Sequence, residues 1–320
     1  MIEPQQGLAE PTRPTHKEAS PWTVAPIVLI VTLISFGLIG PFIGLAIVYP
    51  FYDGTPMDFM NDIVDPFDNE SMKNLLLIVQ GAATLFGLAI IPALFWKAVK
   101  QRPVLSLMEG PSLKPVTYLI IIGIVIFFMG PNSVLIEWNA GLDLPDGAFE
   151  TWARDTEQRA TELTRYMASF NNFGQYLLGV LVIALLPGIG EEIVFRGLLQ
   201  PELQKAFKNI HVGIWLSAIF FSALHLQFYG FFPRVLLGAL FGYLFYWSGN
   251  LIVPMFAHFI NNLFAVSMIY FGYSDLPGME ENTEAMPWYV IALFTVLCGL
   301  LLYEFRRQQR NPALSNDVRV

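Results

Sequence analysis

Seven side chains that suit hydrolytic chemistry occur at helical spacing within three apolar stretches of the sequence. They are Glu191, Glu192 and Arg196 in the first stretch, Phe221 and His225 in the second, and His258 and Asn262 in the third. A carboxylate and an imidazole can together activate a water molecule, and imidazole and amide N–H groups can stabilise the oxyanion of a tetrahedral intermediate. The three motifs therefore indicate peptide hydrolysis at a site shared by three helices.

The two adjacent glutamates are expected to differ in their surroundings. Glu192 and Arg196 are four residues apart, so they lie on one face of a helix and can form an ion pair. Glu191 points about 100° away and has no partner within its own helix, which suits a general base or acid. Each ionised group costs at least about 2.5–3.5 kcal/mol in the middle of a bilayer, so a functional reason is expected. The alternative is that these residues only cap and orient the end of their helix.

The two histidine motifs each leave two interpretations open. His225 lies in apolar surroundings that offer few partners, and an unsatisfied imidazole in lipid is costly, so a catalytic role is favoured over a packing role. Phe221, one turn earlier on the same face, either supports the site or belongs to the core. His258 and Asn262 face the same way, and they either point into one cavity or form a hydrogen-bonded clamp between helices.

The elements that carry these motifs are predicted to be membrane-spanning helices. Hydrophobic residues form 54% of the chain and charged residues 14%, and the mean hydropathy is +0.51. Ordinary soluble domains carry about 25% charged residues. A helix of about 20 apolar residues crosses a bilayer, and the chain has several charge-free windows of that length. We expect an all-α polytopic transmembrane helical bundle with an intramembrane catalytic cavity and about eight spans, at 22–49, 74–97, 115–136, 172–199, 210–228, 230–247, 250–271 and 285–304.

These spans do not place the three motifs at one depth in the membrane. Glu191 and His258 lie about eight residues from the cytoplasmic ends of their spans, whereas His225 lies about fifteen residues from its own end, a difference of about 10 Å. Catalysis requires the motifs to converge. We therefore expect the fourth helix to continue past Pro201, or the fifth helix to be tilted or to begin later.

The charges of the loops predict the orientation of the chain. Basic residues cluster on the side of the N-terminal tail and acidic residues on the opposite side, which predicts that both termini are cytoplasmic. The basic residues are Arg13, Lys17, Lys97, Lys100, Arg102, Lys114, Lys205, Lys208, Arg306, Arg307, Arg310 and Arg319, and the acidic ones are Asp53, Asp58, Asp62, Asp65, Asp68, Glu70, Asp275, Glu280, Glu281 and Glu284. We expect a multi-pass cell-membrane protein with cytoplasmic tails at 1–21 and 305–320. Its membrane domain at 22–304 contains a protease core at about 172–270, and 149–167 form an interfacial or extramembrane helix.

Composition argues against several other classes of protein. The net charge of −8 reflects the external loops, and no basic patch with interleaved aromatic residues indicates nucleic-acid binding. Cys298 is the only cysteine, which excludes a disulfide framework and metal–thiolate clusters. The polar, proline-rich start differs from a cleavable signal peptide, so the first span is expected to be retained. Pro41 and Pro92 are expected to kink or break their helices.

Taken together, the motifs resemble those of the CPBP family of intramembrane proteases. That family includes the CAAX prenyl endopeptidases and the Abi-type bacteriocin-processing or immunity proteins, and the resemblance covers about 172–270. It implies that Glu191 and His225 activate water, that His258 and Asn262 stabilise the oxyanion, and that the remaining three residues order the site or hold the substrate. Members have been described both as metalloproteases and as glutamate proteases, and the residues leave this open. Glu191, His225 and His258 would make a zinc set of a common type, although no HExxH motif is present.

The resemblance implies an endopeptidase that cleaves a membrane-associated protein or peptide, of the CAAX type or a leader sequence. Two other classes stay open. Buried Glu, Arg and His also mark the substrate pathways of secondary transporters, but the chain shows no inverted repeat or paired broken helices. A non-catalytic membrane scaffold or immunity protein could keep the same residues for structure. Loss of cleavage, loss of uptake or full activity after Glu191→Ala would distinguish the three classes.

Overall fold

The computed structural model describes residues 19–111, 113–273, 275 and 283–309. In this part of the chain it contains no β-strand, one separate short 3-10 helix at Val104–Met108, and ten helices, counted with their π-helical and terminal 3-10 turns. They are α1 (Pro21–Phe51), α2 (Pro56–Val64), α3 (Met72–Lys100), α4 (Pro115–Ala140), α5 (Ala148–Ala168), α6 (Phe173–Phe207), α7 (Ile210–Ala223), α8 (Phe231–Ser248), α9 (Ile252–Tyr270) and α10 (Trp288–Gln309). Most of the predicted tails at 1–21 and 305–320, and Glu280 and Glu281 of the last acidic loop, lie outside the described residues.

Six of these helices are long and apolar enough to cross a membrane, namely α1, α3, α4, α6, α9 and α10. The predicted all-helical, multi-pass membrane fold is therefore confirmed. The count of eight spans is not confirmed. Helix α7 has 14 residues and is about 21 Å long, which is less than the thickness of a hydrocarbon core of about 30 Å. Helix α8 is not among the six either.

Prolines widen the long helices instead of ending them. Each of four π-helical segments ends two residues before a proline. The pairs are Ser35–Ile39 with Pro41, Leu85–Ile90 with Pro92, Val180–Leu185 with Pro187, and Ile193–Leu199 with Pro201. Proline lacks an N–H and its ring crowds the carbonyl four residues earlier, so a locally wider turn accommodates it. Of the kink or break expected at Pro41 and Pro92, the break does not occur, because α1 and α3 continue through these positions. The kink stays a prediction.

Continuation of α6 removes the mismatch in depth between the motifs. The helix runs past Pro201 to Phe207, as convergence of the motifs requires. Glu191 then lies sixteen residues from the end of α6, and His225 lies fifteen residues after Ile210, where α7 begins. The two motifs are therefore at similar distances from the short connection between α6 and α7.

Two buried apolar clusters hold the bundle together. Residues of α1, α3, α6 and α7 dominate the first cluster, and residues of α4, α8 and α10 dominate the second. Helix α9 belongs to both, with Met255 in the first and Ala257 in the second. It packs closely on α6 because a Cβ at Gly188 would lie 3.0 Å from the backbone nitrogen of Phe259. The three motif-bearing helices, α6, α7 and α9, therefore all contribute to the first cluster, and α9 also contributes to the second.

Helix α5 differs from the rest because it is rich in charge. It contains four glutamate and aspartate side chains and three arginines among its exposed and half-buried positions, and it confirms the helix predicted at 149–167. It packs against α3, α6 and α9. Because an amphipathic, charged helix of this kind is costly to place in hydrocarbon, its interfacial or extramembrane location stays the prediction.

Candidate active site

A buried ion pair anchors the site on α6. Arg196 Nη1 donates to Glu192 Oε1 over 2.7 Å, the contact that their spacing predicted. His258 Nδ1 donates to the same carboxylate oxygen over 2.8 Å, which joins α9 to α6. The Glu192 side chain is 0% exposed and that of Arg196 is 1% exposed. Because removing one member would leave an uncompensated buried charge, these three groups form one structural unit.

The other amino group of the Arg196 guanidinium, Nη2, connects this unit to α8. Arg196 Nη2 donates to the carbonyl of Gly238 over 2.8 Å, and the guanidinium carbon lies 4.9 Å from the ring centre of Phe221 and 5.6 Å from that of Phe241. A Cβ at position 238 would lie 3.2 Å from Arg196 Nη2, so glycine allows the backbone of α8 to approach the cation. Arg196 is therefore held by hydrogen bonds and by aromatic faces at the same time.

Glu191 lies outside this hydrogen-bonded unit. Its side chain is 15% exposed, and its Oε2 lies 3.7 Å from Nε2 of His258. That separation is longer than a direct hydrogen bond. The two nitrogens of one imidazole thus face the two adjacent glutamates, with Nδ1 fixed by Glu192 and Nε2 directed toward Glu191. This arrangement leaves Glu191 and Nε2 available for chemistry.

His225 was expected inside the fifth span, and this expectation is wrong. Helix α7 ends at Ala223, and His225 lies in the turn that follows it. Its Nδ1 is 2.9 Å from the carbonyl oxygen of Phe221, which can only accept, so we assign the proton to Nδ1 and leave Nε2 as an acceptor in the neutral ring. The residue as a whole is exposed at the surface of the protein.

Phe221 lies between the two histidines. Its ring centre is 5.0 Å from that of His225 and 6.0 Å from that of His258, in edge-on arrangements, and the side chain is 3% exposed. The His258 ring has a second aromatic partner that the sequence did not indicate. Phe241 of α8 stacks on it with ring centres 5.2 Å apart. One more phenylalanine in an apolar helix carries no signal of its own, so Phe241 could not be singled out.

Asn262 lies one turn after His258 and contacts α6. Its Nδ2 donates to the carbonyl of Ile183 over 3.3 Å, and its Oδ1 accepts from Asn261 over 3.1 Å. Ile183 belongs to a π-helical segment of α6. The contact fits the interhelical clamp, while the second N–H of the same amide is still able to serve an oxyanion. The catalytic role of Asn262 stays a prediction.

The zinc set suggested by the sequence consists of Glu191, His225 and His258. Within the described ranges, no group of three or more His, Cys, Asp and Glu side chains is arranged to hold one ion. Glu191, His225 and His258 therefore do not form a three-ligand centre in this arrangement. Their role as metal ligands stays a prediction.

Comparisons with known proteins identify the region that contains the site. The family model described as type II CAAX prenyl endopeptidase Rce1-like matches residues 173–264, which include all seven motif positions. The chain is also similar to the uncharacterized protein YpbD of Bacillus subtilis (strain 168), with 31% identity over 110 residues. The match covers 33% of this chain and 53% of YpbD, so the chain spans about half the length of that relative. No solved structure is significantly similar. Residues 173–264 of the chain, which contain the site, are therefore similar to the Rce1-like family of type II CAAX prenyl endopeptidases.

Proposed function

We propose that this chain is an intramembrane endopeptidase that hydrolyses a peptide bond of a membrane-associated protein or peptide. One observation carries the proposal. A single imidazole, that of His258, is fixed on one nitrogen by a fully buried carboxylate and presents its other nitrogen to a second, partly exposed carboxylate 3.7 Å away. The match of residues 173–264 to the Rce1-like family model supports the same activity. A purely structural arrangement would not require the second carboxylate.

Glu191 is the proposed general base. It accepts a proton from a water molecule, and the water oxygen forms a bond to the carbonyl carbon of the scissile peptide. His225 assists, because Nε2 of its neutral ring can accept a hydrogen bond from the same water. When the tetrahedral intermediate collapses, the C–N bond breaks and Glu191 returns the proton to the departing amine. The carboxylate is thereby restored for the next cycle.

His258 and Asn262 are the proposed oxyanion donors. With both ring nitrogens protonated, His258 donates from Nδ1 to Glu192 and from Nε2 to the developing oxyanion. In this form the carboxylates of Glu191 and Glu192 are balanced by two cations, Arg196 and the imidazolium. Asn262 supplies the N–H that is not used by Ile183.

The proposal extends to location and substrate. We propose that the protein lies in the cell membrane, with the membrane domain at 22–304 and the protease core at about 172–270. The charges of the loops support an orientation with both termini in the cytoplasm. A prenylated CAAX peptide and an unprenylated leader peptide are the two substrate classes to compare. The name of the matching family favours the first.

The test compares membranes from cells that carry the wild type, Glu191→Ala or Glu162→Ala. Glu162 is an exposed glutamate of α5 and provides a control of equal charge change. We expect one or more membrane proteins to accumulate uncut with Glu191→Ala alone, and the purified wild type to cleave a farnesylated CAAX peptide. Loss of solute uptake without loss of cleavage would instead indicate a transporter. Full activity of Glu191→Ala would indicate a scaffold.

A further inference from the structure

The turn between α7 and α8, residues 224–230, carries His225 and contains an unusual backbone conformation. The amides of His225 and Leu226 bond back to Ser222 and Ala223 over 3.2 and 3.1 Å. Leu226 then adopts a φ of +57°, in the left-handed region that side chains other than glycine seldom occupy. Such a conformation persists only where the surroundings enforce it. The contacts of the turn show what enforces it here.

Glu157 of α5 uses both of its carboxylate oxygens on this one turn. Gln227 Nε2 donates to Oε1 over 3.2 Å, and the backbone amide of Tyr229 donates to Oε2 over 3.1 Å. Arg154, one turn earlier on α5, places its guanidinium carbon 5.1 Å from the ring centre of Tyr229. The extramembrane helix thus holds the segment that begins two residues after His225.

Asn139, near the end of α4, holds the other end of the turn. Its side chain is 0% exposed, its Nδ2 donates to the carbonyl of Phe228 over 3.1 Å, and its Oδ1 accepts from the amide of Phe232 over 3.0 Å. Arg234 of α8 also bonds to the turn, because its Nη2 donates to the carbonyl of Gln227 over 2.6 Å. The segment 227–232 is therefore fixed from α4, α5 and α8.

We propose that Glu157 is a positioning residue for His225, acting through Gln227 and Tyr229 on the backbone that carries the imidazole. This inference rests on the proposed function, in which His225 contacts the attacking water. His225 itself has one side-chain hydrogen bond, to Phe221, within its own turn. The direction of its ring therefore depends on the path of residues 226–230, and Glu157 supplies two of the bonds that fix this path.

The experiment uses the full-length protein in detergent micelles and four variants: Glu157→Ala, Glu157→Gln, Glu162→Ala and Glu191→Gln. Cleavage of a quenched farnesylated CAAX peptide gives kcat and KM, and hydrogen exchange by mass spectrometry reports on residues 224–231. For Glu157→Ala we expect faster exchange in this segment and a kcat lowered about 10- to 100-fold, with KM changed less than about 2-fold, because misplacing a catalytic group slows the chemical step. Glu157→Gln keeps an acceptor oxygen and should recover most of the rate, and Glu162→Ala should match the wild type.

Each other outcome decides a different point. Unchanged exchange in Glu157→Ala would show that Glu157 does not hold residues 224–231, which overturns the proposal. Faster exchange with an unchanged kcat per folded molecule would show that Glu157 holds the turn without positioning His225, which also overturns the proposal. If the wild type does not cleave, or if Glu191→Gln cleaves as fast as the wild type, the proposed function fails. The exchange measurement still decides whether Glu157 holds residues 224–231. If Glu157→Ala does not fold, Glu157→Gln provides the comparison. The proposal then predicts exchange in residues 224–231 that is faster than in the wild type, and a kcat that is below the wild-type value. Wild-type exchange together with wild-type kcat in a folded Glu157→Gln would overturn it.

Discussion

Replacement of Glu192 by glutamine should destabilise the protein strongly, because this carboxylate balances a buried cation. Arg196 is 1% exposed, and its Nη1 is 2.7 Å from Glu192. Removing one partner of a buried pair typically costs about 3–5 kcal/mol, since the remaining charge is left uncompensated. Glutamine retains one oxygen that can accept from His258 or from Arg196, so we expect a loss in this range and not above it. The imidazole also loses its fixed orientation, so activity should fall as well.

The same replacement at Glu191 should have the opposite pattern. Its nearest described ionic contact is His258 Nε2 at 3.7 Å, and its side chain is 15% exposed. We therefore expect a change in the free energy of unfolding of about 0.5 kcal/mol or less, as at sites without a specific partner. Loss of a general base lowers the rate by about 10²- to 10⁴-fold. Glu191→Gln should be folded and nearly inactive.

Thermal unfolding in detergent and the rate of peptide cleavage, measured on both variants, separate these effects. A further variant tests the cause of the instability. If an unpaired Arg196 is responsible, Arg196→Met in the Glu192→Gln background should recover part of the lost stability, because both buried charges are then absent. Near-normal turnover of Glu191→Gln, together with a stable and inactive Glu192→Gln, would show that the base is the other carboxylate.

Three other predictions concern topology, metal and pH. Reporter fusions after residue 60 and after residue 320 should report opposite sides of the membrane, and signals from one side would refute the predicted orientation. Elemental analysis of protein purified without chelator should find no stoichiometric zinc, whereas zinc that disappears in His225→Ala would assign a metal centre. Burial raises the pKa of Glu157, which faces Arg234 and the turn at Gln227. The folded protein thus binds this proton more tightly than the unfolded chain. The free energy of unfolding of the wild type, relative to that of Glu157→Gln, should therefore fall as pH rises above the ordinary carboxyl pKa of about 4.3. A difference that does not depend on pH would contradict this.

The local geometry of a helix made part of the site predictable. The bond between Glu192 and Arg196 follows from a spacing of four, and the charge-free windows mark six candidate membrane helices. The bond between Glu192 and His258 joins residues that are 66 positions apart. Its existence depends on how α6 packs on α9, and spacing within one helix carries no information about that.

Two errors have physical causes that the sequence conceals. The apolar pattern continues past Ala223 through Leu224, Leu226 and Phe228, so hydropathy does not mark the end of α7. Side-chain and backbone contacts from α4, α5 and α8 impose that end instead. A proline within an apolar helix predicts a kink or a break, but a helix that widens before the proline continues past it.

The order of the two glutamates has its own physical explanation. Neighbouring helical residues point about 100° apart, and the two ring nitrogens of His258 also point in different directions. One imidazole therefore faces both carboxylates: the buried one is in line with Arg196, four residues later, and the partly exposed one precedes it. Exchanging the roles of positions 191 and 192 would move the ion pair to a spacing of five and rotate it away from α9. The adjacent pair thus places one carboxylate on Nδ1 of the histidine and the other near its Nε2, which is the arrangement that the proposed general base at Glu191 requires.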